Sequence, residues 1–131
     1  MSTPATDLRL PAVHFLRTAI TFEDNGVQKT IGVIPAGSLV LKAMSGLHIT
    51  TVFNAGTNNF IDMGISSNDD LFGTDLSGTT ATFVPLDEAV GTFYCADETT
   101  LTVTVGLTGT AATTGAAVAF ICYIPNPALY A

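Results

Sequence analysis

Between turn-forming residues that recur about every ten positions, this chain writes short apolar and β-branched runs and nowhere sustains a helical apolar period. That pattern restricts it to an all-β fold. Residues 13–22, 27–34, 38–53, 59–65, 79–84, 89–95, 100–105 and 116–124 read as strands. The run 100–105 is the ordinary half-solvated case: Leu101, Val103 and Val105 share one face, and Thr102 and Thr104 the other. Several short strands at even spacing predict an antiparallel β-sandwich, with jelly-roll winding as the leading topology.

The connections carry turn chemistry. Asn25-Gly26 predicts a two-residue type I′ hairpin pairing Phe22 with Lys29 and Ile20 with Ile31. Pro35-Ala36-Gly37 marks the next turn, and Gly46 a bulge or bend that divides 38–53. Residues 66–75 (SSNDDLFGTD) read as a polar excursion, and 106–115 as a flexible Gly/Thr/Ala connection. Residues 1–12, with Pro4 and Pro11, read as an extended arm preceding one domain, 13–131.

The closing strand, 116–124, departs from alternation. Val118, Phe120, Cys122 and Ile124 form its bulkier face and are expected in the core. The opposite face, Ala117, Ala119, Ile121 and Tyr123, is apolar too. A two-sheet domain has one inside, so that second face is expected to meet the arm, a sister subunit or a larger surface. The alternative is a central strand covered by loops of its own chain. On the interface reading, Ile121→Asp or Tyr123→Asp yields a folded monomer.

Composition narrows the function classes. The 131 residues are 47% apolar and 11% charged, against the roughly 25% charge usual in soluble domains. No apolar run approaches the roughly 18 residues of a membrane helix, and no basic-then-apolar leader opens the chain, so a soluble protein made without export is expected. The cations are Arg9, Arg17, Lys29 and Lys42; eight acids and no Lys or Arg follow Lys42, and the net charge is −7. Such a balance disfavours nucleic acid as a partner. Cys95 and Cys122 read as buried thiols.

No catalytic constellation is visible. His14 and His48 lack ligand neighbours at metal spacing, no GxSxG elbow occurs, and the Gly/Thr run LTGTAATTG lacks a Lys. Asp62, Asp69, Asp70 and Asp75 could offer oxygens to a hard cation, but their spacing is not that of an EF-hand, and a solvated loop is the expectation. No enzyme activity, cofactor or metal is expected.

The run IGVIPAGSLVLKAMSGLHITTVFNAGTNNFIDMGISSNDDLFGT (31–74), with its IPAG turn, FNAGT and IDMG, resembles small β-proteins encoded among the head genes of tailed bacteriophages. DETTLTVTVGLTGTAATTGAAVAFICYIPN (97–126) resembles the same family's closing strands. The resemblance implies a capsid decoration (cement) protein of jelly-roll type. Its partners would be the major capsid protein and itself, a trimer before a dimer, on the virion surface after synthesis in the host cytoplasm. The arm, through Leu8, Arg9 and Leu10, and with it Arg17, would then contact the capsid. A tail or fibre module binding a host-surface glycan or protein is the alternative.

Overall fold

The computed structural model describes residues 13–88 and 92–125. They form ten strands: β1 (His14–Thr21), β2 (Gln28–Ile34), β3 (Ser38–Leu41), β4 (Gly46–Thr51), β5 (Asn58–Ile65), β6 (Asn68–Ser77), β7 (Phe83–Pro85), β8 (Thr92–Cys95), β9 (Thr99–Thr108) and β10 (Ala116–Ile124). All ladders between them are antiparallel. The first sheet runs β7-β4-β10-β3-β8, with β1 on the other side of β10; the second runs β2-β9-β5-β6.

A 3₁₀ turn at Lys42–Met44 separates β3 from β4, and both pair with β10. They are one long strand interrupted ahead of Gly46, where the sequence placed a bend. β8 and β7 likewise share one row, beside β3 and β4. Counted by rows, the first strand pairs the last, β2 pairs β9, β3 and β4 pair β8 and β7, and β5 pairs β6. The chain is a long hairpin rolled upon itself into two antiparallel layers.

The expected hairpin at Asn25-Gly26 does not form, because β1 and β2 lie in different sheets. Thr21 caps a 3₁₀ turn at Phe22–Asp24: its N–H donates to Asp24 Oδ2 at 2.8 Å, and its Oγ1 accepts from Glu23 N at 3.3 Å. Asn25 then takes φ −54, ψ 127 and Gly26 φ 81, with Val27 N donating to Asp24 O at 3.0 Å. These are type II angles, positive only at the glycine, and that geometry does not match hairpin twist. The Asn25 carboxamide clamps β9 instead: Oδ1 accepts from Leu107 N at 2.8 Å and Nδ2 donates to Leu107 O at 3.3 Å.

Two further segments differ from expectation. Residues 66–75 are largely strand, in β6, an edge strand irregular enough to read as loop. The connection after β9 is tied down by Asn54, whose Oδ1 accepts from Thr113 N at 2.8 Å and Thr114 N at 3.0 Å.

The core joins both sheets through Ile20, Ile34, Val40, Leu47, Ile49, Ile61, Met63, Phe72, Leu101, Val103 and Val105. β10 enters it with the parity opposite to expectation. Ala117, Ala119, Ile121 and Tyr123 point inward, at 2%, 0%, 0% and 9% exposure. Val118, Phe120, Cys122 and Ile124 face outward and are half-buried. The four residues expected at an interface are therefore core residues of the single chain. Sheets packed about 10 Å apart share their volume, so small side chains on one strand make room for large ones across the gap. Bulk on one strand alone does not decide which face is inside.

Ile121→Asp should therefore abolish folding instead of releasing a folded monomer. An unpaired carboxylate in this core costs several kcal/mol, commonly about 4 or more, against a total stability of about 5–15 kcal/mol. Loss of the β signal in far-ultraviolet circular dichroism checks this. A folded variant with a normal urea transition would contradict the core assignment.

Candidate interaction surface

The outer face of the first sheet is built from residues brought side by side by register. Arg17 lies opposite Phe120, Phe120 opposite Gly46, and Gly46 opposite Pro85. A second row runs Ala19, Val118, His48, Phe83, and a third Ile124, Leu39, Tyr94. Phe15 stands across from Cys122. Gly46 leaves the gap in which the Phe83 and Phe120 rings meet, centroids 5.9 Å apart and tilted 31°. A Cβ on Gly46 would strike the Val84 carbonyl.

This face is apolar and open. Phe15 and Tyr94 are each 62% exposed, Met44 53% and Phe83 44%. A solvated sheet would place Thr or charged residues at these positions, and a continuous apolar patch is the ordinary mark of a docking surface. The sheet edge is less inviting. Lys29 Nζ donates to the Ala19 carbonyl of edge strand β1 at 2.7 Å and sits 3.6 Å from Asp24, blunting that edge against strand addition.

The second sheet is polar outside. Thr104, Asp62 and Gln28 are adjacent in register there. Between the pairs Ile61–Leu76 and Met63–Gly73, two residues, Thr74 and Asp75, oppose the single Asp62. This bulge puts Asp75 at φ 53. Its exposed N–H groups are met by carboxylates: Asp75 N donates to Asp62 Oδ1 at 2.7 Å, and Thr74 N to Asp87 Oδ1 at 2.9 Å. Partial burial raises the Asp62 pKa above 3.8; the Asp75 N–H lowers it, and the charges of Asp75, Asp69 and Asp70 raise it further. These acids hold a bulge together. Among the described residues, no three His, Cys, Asp or Glu are grouped to hold a metal ion.

The remaining sequence candidates are dispersed. His14 packs on Tyr123, ring centroids 5.6 Å apart, while His48 lies on the outer face. Cys95 and Cys122 are free thiols on opposite sides of the first sheet. Burial raises both pKa values, with Thr99 partly offsetting this at Cys95, so neither is poised as a thiolate. A shallow cavity of about 240 Å³ is lined by Phe22, Asn25, Ala55 and residues 107–112, none of them charged. Arg17 is exposed within β1, on the apolar face; Leu8, Arg9 and Leu10 lie outside the described residues. Phe15, Met44, Phe83, Tyr94 and Phe120 escaped sequence reading because strand parity alone did not say which side was solvent.

Two outcomes follow. Phe15→Ser and Tyr94→Ser should change unfolding free energy by no more than about 0.5 kcal/mol while lowering binding of a hydrophobic dye. A large loss of stability would show that these rings belong to the fold instead. For Asp62, the raised folded pKa contributes stability below the unfolded value, and that contribution is lost as pH rises through the folded value. Asp62→Asn keeps an acceptor for Asp75 N, so urea midpoints should be similar near pH 3 and favour the variant at pH 7. A parent more stable at pH 7 would contradict this account.

No protein-family model matches the sequence, and no curated protein matches it. Among solved structures, a chain of the "Cyanophage Pam1 capsid asymmetric unit" superposes with a TM-score of 0.61, covering 87% of this chain and 84% of that one at 13% identity. At that identity the likeness is one of fold.

Proposed function

We propose that this chain is a structural virion protein that binds the outer surface of a phage capsid as a homo-oligomer and stabilises it. The observation that carries the reading is the open apolar face of the first sheet, set on a sandwich whose fold recurs in a phage capsid. The rolled pairing of first strand with last supports reading the sandwich as a jelly roll. On this reading the major capsid protein and other copies of the chain are its partners, a trimer is its assembled form, and it performs no catalysis. Residues 1–12, with Leu8, Arg9 and Leu10, would add contacts to the shell. A tail or fibre tip would present aromatics on loops, whereas Phe15, Phe83 and Tyr94 project from strands.

Quantitative mass spectrometry of purified virions tests this. The expected result is a simple ratio to the major capsid protein. A few copies per particle would favour the tail or fibre reading, and absence would refute a virion role. Deleting residues 1–12 should weaken co-sedimentation with capsids; unchanged binding would remove the arm from the proposal.

A further inference from the structure

The charge pattern of the apolar face restricts how copies of this chain can meet. The strands of the first sheet and the Lys42–Met44 turn contain no Asp or Glu; their charged residues are Arg17 and Lys42. Lys42 is buried, its Nζ 6.0 Å from the centre of the Phe72 ring in the core. Among the described residues, Arg17 is thus the one Lys or Arg exposed on the outer face. It lies opposite Phe120, flanked along β1 by Phe15 and Ala19. Among the described residues, the ion pair present is Lys29 with Asp24, which does not involve it.

A twofold contact places a face against itself. Burying Phe15 and Phe120 in that way would desolvate Arg17 against strands that carry no carboxylate, the nearest acids in the chain being on the loops at the sheet's rim, and an unpaired buried cation is strongly unfavourable. A heterologous contact places the face against a different surface of the next copy. There the chain offers carboxylates widely, with eleven acids in all. Asp62, Asp69, Asp70 and Asp75 are concentrated on the second sheet. Such contacts close into rings when the rotation permits.

Building on the homo-oligomer reading above, we infer that the chain associates with itself heterologously. The Arg17 face of one copy packs on an acid-bearing surface of the next, closing a ring of three or more copies and excluding a face-to-face dimer. The same chain supplies both halves of the interface.

Native mass spectrometry and sedimentation of the full chain test this. The parent should form a closed ring, expected to be a trimer. Arg17→Glu should remain folded by circular dichroism and assemble at least about a hundredfold more weakly. Should Arg17→Glu fail to fold, Arg17→Gln serves, with weakened assembly expected. A carbodiimide applied to assembled Arg17→Lys should join the introduced amine to an Asp or Glu of the neighbouring copy. A dimer, or a ring indifferent to Arg17→Glu, would overturn the inference. A monomeric parent that still binds capsids through Arg17 would also overturn it while leaving the capsid role standing. A monomer that binds no capsid would remove both.

Discussion

The pairing of β10 on both sides is the constraint on which the rest of the structure depends. β1 runs beside it from His14–Tyr123 to Thr21–Ala116, and β4 and β3 share its other flank. Joining the last strand to the first rolls the intervening chain into two layers, and no ladder edge of β10 is left for solvent along those registers. A strand so placed has little use for charge. Its apolar inner face closes the core, and its apolar outer face becomes the middle of the open surface. One local feature thus shapes both the core and the outer surface.

Charge is segregated between the layers. The strands of the first sheet carry no carboxylate, while those of the second carry Asp62, Asp69, Asp70 and Asp75. Asp62, with Asp87 from beyond β6, satisfies backbone N–H groups exposed by the bulge at Thr74 and Asp75. Carboxylates so engaged act as scaffold. The first sheet has the opposite imbalance: exposed apolar residues with Arg17 in their midst.

Much of the secondary structure was legible from turn residues and alternation, because both are local. Leu101, Val103 and Val105 alternate with Thr102 and Thr104, and the structure places the first three in the core, although Thr102, expected on a solvated side, is buried too at 1% exposure. Asn25-Gly26 was recognisable as a turn but not as a crossing between sheets, since its type is decided by the Thr21–Asp24 cap and the grip of Asn25 on Leu107. The candidate surface was less legible. Arg17 stood out by the rarity of cations, whereas Phe15, Phe83 and Tyr94 looked like ordinary strand aromatics.

By itself, the sequence determined that this protein is all-β, that its closing strand is apolar on two faces, and that its few cations lie early in the chain. Those properties are written in periodicity and composition, which depend only on neighbours along the backbone. The tertiary structure alone decided that Ala117, Ala119, Ile121 and Tyr123 go inward and that Val118, Phe120 and Cys122 go out beside Arg17 and Phe15. Which face of a doubly apolar strand is inside depends on the volume that the facing sheet presents, and that volume comes from residues far away in the chain.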